Sequence, residues 1–163
     1  LNVIEVVEPV ADMLRVAVRG GSRGGTVALL VAERDARVKL AVGVAGPTNM
    51  LELTGKNEND DTYQCQFLKD LTDGTATLEE VRLRLIASSP VYFADQLPDT
   101  QLHLAADDRI VPVSQGEQLQ EAITAFGLDD QFEMFIYEGR DHSNIATGNQ
   151  ELNDRIEEFN SKL

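Results

Sequence analysis

Two rhythms of apolar and polar positions alternate along this chain. Short β-branched runs recur, and each is followed by a stretch whose apolar residues return every three to four positions. Arg15–Arg19 predicts a first strand and Thr26–Arg34 a helix that packs back on the sheet. Val38-Lys39-Leu40-Ala41-Val42-Gly43-Val44 predicts a second strand, apolar enough to be central in a parallel sheet, and Gly46-Pro47 ends it. Asn49–Gly55 predicts a short helix and Lys56–Asp61 a polar, solvated turn. Tyr63–Leu71 and Leu78–Ala87 predict two more helices, with Thr77 placed to cap the second and Ser88-Ser89-Pro90 to stop it. Gln101–Ala105 predicts a third strand and Asp107–Pro112 a loop. Val113–Phe126 predicts an amphipathic helix with Leu119, Ala122, Ile123 and Phe126 inward. Gln131–Tyr137 predicts a fourth strand with Phe132, Met134 and Ile136 on one face. After the loop Glu138–Ser143, a closing helix over Gln150–Lys162 carries the stripe Leu152, Ile156 and Phe159. Leu1–Glu8 reads as the end of a helix stopped by Pro9. The order predicts the α/β class: a single domain over residues 1–163, with a mainly parallel sheet of about four strands flanked by helices.

Charge narrows the partners. The formal net charge is -14, which repels a phosphate backbone and an anionic membrane surface, so neither nucleic acid nor membrane is expected as a partner. No apolar run approaches the roughly 20 residues needed to span a bilayer, and no basic, then apolar leader is visible. Cys65 is the sole cysteine, so an intrachain disulfide is impossible, which fits a reducing, cytoplasmic setting. The first residue is Leu1 rather than Met, and the chain is expected to be a processed product or a piece of a longer one.

Chemistry enters at the turn Gly20-Gly21-Ser22-Arg23-Gly24-Gly25. Gly20-x-Ser22-x-Gly24 has the spacing of a nucleophile elbow, in which a serine on a strained strand-to-helix turn projects its hydroxyl above the sheet edge. The flanking glycines Gly20, Gly24 and Gly25 are expected to let strand and helix backbones pass close together. The helix behind Ser22 points free N–H groups at any developing anion. A phosphate cradle is the rival reading, but Gly25-Thr26 lacks the lysine of a Walker loop, and Ser22 occupies the second glycine position of a dinucleotide fingerprint. Parallel sheets bind ligands beyond the carboxyl ends of their strands. The loops at that edge contain Ser22, the pair Asp107/Asp108, and His142. A hydroxyl needs a base to take its proton, and the base needs an orienting carboxylate; the chain supplies each part, in the order Ser, Asp, His.

Longer stretches carry a family resemblance. Pro9-Val10-Ala11-Asp12-Met13-Leu14-Arg15-Val16 followed by the doubled-glycine elbow, Ser88-Ser89-Pro90-Val91 with Leu97-Pro98, Ala105-Ala106-Asp107-Asp108-Arg109-Ile110-Val111-Pro112, and Tyr137-Glu138-Gly139-Arg140-Asp141-His142 together cover nearly the whole chain. They resemble the C-terminal part of the catalytic domain of prolyl oligopeptidase-like serine hydrolases, within the α/β-hydrolase superfamily. The resemblance implies a partial α/β-hydrolase fold that holds the later half of the sheet. It implies a serine hydrolase cleaving a peptide, amide or ester bond, a peptidase being favoured over a carboxylesterase. It makes Ser22 the nucleophile, His142 the general base, Asp108 the orienting acid, and the Arg23 backbone N–H one oxyanion donor. Asp108 stands three residues before Val111 and four before Pro112, as in the family's G-x-x-D-x-x-V-P loop; counting from His103 selects Asp107 instead, and both stay open. No cofactor and no metal are implied, and the substrate is a small molecule or a peptide. In complete members further strands precede the elbow, and one of their loops gives a second oxyanion donor. The elbow strand is therefore expected to expose an edge here, open to a complementing N-terminal segment or a second copy. The rival from another class is a truncated hydrolase fold without activity, serving as an oligomerising or binding module. Plainer roles are expected elsewhere: His103 a packed or edge residue of its strand, Cys65 in the core, and Phe67, Leu68 and Leu71 a packing face.

Overall fold

The computed structural model describes residues 12–56 and 61–163, with residues 56 and 61–66 described by their backbone. Both the helix expected over Leu1–Glu8 and the centre of the polar turn at 57–60 lie outside the described residues, as does the side chain of Cys65. Four strands form one sheet in the order β1 (Val16–Gly21), β2 (Val38–Val44), β3 (Asp99–Ala105) and β4 (Phe132–Tyr137). All three pairings are parallel, with Gly20 beside Gly43, Val44 beside His103, and Ala105 beside Tyr137. Parallel strands need crossover segments, and helices fill them: α1 (Arg23–Arg34), α2 (Met50–Lys56), α3 (Asp61–Thr72), α4 (Leu78–Ala87) and α5 (Ser114–Ala125), while α6 (Gln150–Asn160) follows β4.

The two faces of the sheet hold separate cores. On one, Leu29 and Ala32 of α1, Leu119 and Ile123 of α5, and Ala94 and Leu97 pack on Val38, Ala41, Leu102 and Leu104. On the other, Leu152, Ile156 and Phe159 of α6 pack on Leu40, Val42, Val44 and Tyr137. Burial on both faces explains why β2 is nearly continuous in apolar residues. A third cluster joins Met50 and Leu53 of α2 to Val81 and Leu85 of α4, with Phe67, Leu68 and Leu71 of α3 packed against them. The Thr77 cap forms as expected: its hydroxyl accepts the Glu80 N–H at 3.2 Å, and the Glu80 carboxylate accepts the Thr77 N–H at 2.7 Å. Thr77→Ala is expected to lower the melting temperature by about 2–4 °C, read by circular dichroism.

Several expectations change. The first strand runs two residues further than Arg19, because Gly20 and Gly21 stay in register with Gly43 and Val44. The next helix starts at Arg23 rather than Thr26, so the turn is compressed into Ser22 alone. Phe126 is 58% exposed instead of inward. Helix α5 ends at Ala125, and Gly127 at φ 69° turns the chain away just after Phe126. Ile136 is 42% exposed, because β4 is an edge strand of the described sheet. The segment Pro90–Gln96, unassigned from sequence, forms 3-10 turns that place Ala94 in the core. At the opposite edge, β1 pairs among the described residues with β2 alone, and its residues alternate between partly buried and exposed.

Candidate active site

The carboxyl ends of the strands bring together three of the side chains singled out in the sequence. Ser22 sits between β1 and α1 at φ 52°, ψ -128°. A non-glycine residue in that region costs on the order of 1–3 kcal/mol and persists only where its surroundings fix it. Here the Ser22 N–H donates to the Val44 carbonyl at 2.7 Å, and the Ser22 carbonyl accepts the Gly25 N–H at 2.8 Å. The glycines divide into two kinds. A Cβ on Gly20 would lie 2.0 Å from the Gly24 carbonyl oxygen, and one on Gly25 would lie 3.1 Å from both the Gly20 oxygen and the Gly46 Cα. Gly20 is closed to any side chain, and at Gly25 a side chain would need the backbone to give by a few tenths of an ångström. Gly24 departs from expectation: a Cβ there meets nothing within 4 Å, because Gly24 lies on the exposed side of α1.

Asp108 and His142 come from the loops after β3 and β4. Asp108 is 5% exposed. Its Oδ1 accepts the N–H groups of Ile110 and Val111, both at 2.8 Å. That leaves Oδ2, which lies 2.7 Å from His142 Nδ1. His142 Nε2 lies 2.8 Å from Ser22 Oγ. Asp107 is exposed instead, and its N–H is bonded to the Arg140 carbonyl at 2.9 Å. The structure thus brings Asp108, and not Asp107, onto the histidine. The histidine loop is built from its own side chains. Asp141 Oδ1 accepts from the Ser143 N–H, the Ser143 hydroxyl and the Asn144 N–H, and these bonds hold its carboxyl below the ordinary aspartate range. The Arg140 guanidinium donates to the carbonyls of Asn144 and Thr147. The Arg23 N–H lies in the first turn of α1, where N–H groups have no intrahelical acceptor, directly behind Ser22.

An open cleft of about 710 Å³ lies beside the histidine, lined by residues 106–110 and 141–143. The loop after β2 is tied down by side chains from two helices. Gln115, fully buried, accepts the N–H groups of Thr48 at 3.1 Å and Asn49 at 2.8 Å, and the Thr26 hydroxyl ties α1 to the Pro47 carbonyl at 2.6 Å. Ala45, buried at φ 48°, is a second strained residue, beside the elbow. The sequence carried no sign of it, since alanine has no preference for that region. Arranged this way, a hydroxyl, an imidazole and a buried carboxylate form a relay suited to proton transfer from the hydroxyl.

The family model of the prolyl oligopeptidase family matches residues 4–161. A comparison with curated proteins finds no match. Among solved structures, a puromycin-hydrolyzing peptidase of Mycobacterium tuberculosis is similar at 24% identity and a TM-score of 0.68, over 85% of this chain and 20% of that one. Dipeptidyl peptidase 4 of Porphyromonas gingivalis is similar at 22% identity and a TM-score of 0.75, over 94% of this chain and 20% of that one. An acetyl xylan esterase from Paenibacillus sp. R4 is similar at 21% identity and a TM-score of 0.74, over 99% of this chain and 51% of that one. The chain thus spans about a fifth of the length of the two peptidases and about half that of the esterase. These likenesses agree on the fold, a partial α/β-hydrolase sheet, and with the family match over nearly every residue this chain belongs to the prolyl oligopeptidase family.

Proposed function

We propose that this chain carries the acyl-transfer centre of a serine hydrolase, with peptide or amide bonds the favoured substrates and carboxylic esters the alternative. The single observation that carries the reading is the continuous relay from Ser22 Oγ through His142 to Asp108, at 2.8 and 2.7 Å. Asp108 holds the imidazole with its proton on Nδ1, leaving the Nε2 lone pair facing the Ser22 hydroxyl. As Ser22 Oγ attacks the substrate carbonyl, its proton passes to Nε2, and Asp108 stabilises the imidazolium that results. The Arg23 N–H and the positive end of α1 face the developing oxyanion. The imidazolium then gives its proton to the leaving amine or alcohol, and an acyl ester on Ser22 remains. His142 next takes a proton from water as that water attacks the ester, and the imidazolium returns the proton to Ser22 Oγ as the acid leaves. Atoms and charge balance without a cofactor. The edge of β1 that no described strand pairs with takes a complementing N-terminal segment, which brings a second oxyanion donor near Arg23, or a second copy.

Family membership supports the peptidase reading over the esterase. A fluorophosphonate probe tests the reaction class. One probe per chain is expected on Ser22, lost in Ser22→Ala and in His142→Ala. A folded chain that stays unlabelled overturns the reading in favour of a binding or oligomerising module. Turnover of aminoacyl amides against p-nitrophenyl esters then separates peptidase from esterase.

A further inference from the structure

A chain of hydrogen-bonded side chains outside the relay, buried at its centre, links the outer surface of the sheet to the loops that carry Asp108 and His142. It starts at Glu133 on β4, whose Oε1 accepts from Lys162 Nζ at 3.0 Å and whose Oε2 accepts from Gln101 Nε2 at 2.7 Å. Gln101 Oε1 lies 3.2 Å from His103 Nε2, and His103 Nδ1 lies 2.8 Å from the Tyr137 hydroxyl. Gln101 and His103 are 3% and 0% exposed. The His103 ring lies near-parallel to those of Phe135 and Tyr137, with centroids 5.3 and 5.9 Å away. In the relay as proposed above, none of these groups takes part.

The chemistry of each member fixes the direction of the chain. A carboxylate has no proton to give, so Gln101 must turn its NH₂ toward Glu133. Its carbonyl oxygen then faces His103, which must donate from Nε2. Nδ1 is left bare and accepts the Tyr137 hydroxyl proton. The surroundings keep each group in the required state. Burial opposes the charge on Glu133, but hydrogen bonds from Gln101 and Lys162 and the charges of Lys162 and Arg155 outweigh it and hold its carboxyl below the ordinary range. Burial, with Arg19 and Arg155 nearby, pushes His103 down to about 4, and burial pushes Tyr137 up to about 12.

The last member stands where the active-site loops diverge. Tyr137 ends β4, and its carbonyl accepts the Ala106 N–H at 3.0 Å, one of two backbone bonds joining the histidine loop to the acid loop. It belongs to the core cluster that also holds Ala105 at the start of the acid loop and Ile145 beyond the histidine. The His103 carbonyl in turn accepts the N–H of strained Ala45, next to Val44, which holds Ser22. We infer that His103 is a positioning residue, held as its Nε2–H tautomer in a one-way hydrogen-bond chain from Tyr137 to Glu133, and that this chain fixes the His142 loop against the Asp108 loop.

The effect on rate rests on the serine-hydrolase reading; the direction of the chain and the fixing of the loops do not. Nitrogen-15 NMR of the histidine-labelled chain reads both. His103 is expected to carry its proton on Nε2, and a proton on Nδ1 overturns the inference. Tyr137→Phe keeps the ring and removes the donor. The His142 Nδ1–H resonance, held by Asp108 in the starting protein, is expected to broaden by faster exchange in this variant, and fluorophosphonate labelling to slow about five-fold. A resonance of unchanged width and exchange in Tyr137→Phe, or its absence from the starting protein, overturns the positioning role. A starting protein that shows the resonance yet takes no probe overturns the hydrolase reading and leaves the positioning role standing.

Discussion

Asp108→Asn is expected to slow acylation of Ser22 by about 10⁴-fold, while Asp107→Asn changes it by less than about two-fold. The reason lies in what an amide does at the buried position. Asp108 Oδ1 already accepts two backbone N–H groups, from Ile110 and Val111. An asparagine there keeps its single oxygen on those two donors, because turning the NH₂ toward them would leave all three groups unsatisfied. The NH₂ then faces His142 Nδ1, 2.7 Å away in the native pair. The imidazole must accept at Nδ1 and so carries its proton on Nε2, opposite the Ser22 hydroxyl. The geometry survives and the base is lost. Asp107 contributes its backbone N–H to the Arg140 carbonyl, which asparagine retains. Rate constants for fluorophosphonate labelling check the pair. Equal slowing by both variants, or slowing by Asp107→Asn alone, would sink the assignment of Asp108 as the orienting acid.

The choice between those two aspartates shows where the sequence is legible. The spacing to Val111 and Pro112 favoured Asp108, and the structure explains why such a spacing matters: the carboxylate folds back onto the N–H groups two and three residues ahead. A local hydrogen-bond pattern leaves a local sequence pattern. The Thr77 cap and the Ser22 elbow were readable for the same reason, as were the four strands and the stripe of α6. Features built from residues distant in sequence left no such trace. His103 was readable as a packed residue, but its partner Tyr137 lies 34 positions away. Phe126 continued the apolar period of α5, yet periodicity does not say where a helix stops, and Gly127 stops it first. Gly24 completed the G-x-S-x-G pattern without being pressed by any atom of the described chain within 4 Å, so its motif value and its steric need part company.

Glu33 is the clearest case of a residue whose role is set by folding rather than by pattern, and it is expected to govern stability above neutral pH. It falls four positions after Leu29 and seven after Thr26, on the buried face of α1. It is 8% exposed, and neither carboxylate oxygen has a hydrogen-bond partner among the described residues. Burial pushes it from 4.5 up to about 8; Arg34 opposes this and Asp95 adds to it. The folded chain therefore keeps a proton that the unfolded chain releases near pH 4.5. Stability from this group is complete below that value and is lost as pH rises through about 8, at a slope approaching 1.4 kcal/mol per pH unit in between. His103 acts with the opposite sign. Its folded value of about 4 lies below the ordinary 6.5, so its contribution is complete above 6.5 and is lost as pH falls toward 4. Between pH 5 and 6.5 the two slopes offset each other, and above 6.5 Glu33 acts alone. The native chain is thus expected to be most stable near pH 6 and to lose on the order of 2 kcal/mol by pH 8. Glu33→Gln removes the titration and leaves His103 in place, so its urea midpoint is expected to rise up to pH 6.5 and stay level to pH 8. Glu33→Met, which also removes the unpaired oxygens at similar volume, is expected to exceed the native stability at pH 8 by on the order of 2 kcal/mol. Parallel pH profiles for the native chain and Glu33→Gln would overturn the assignment, because every other titrating group is common to both.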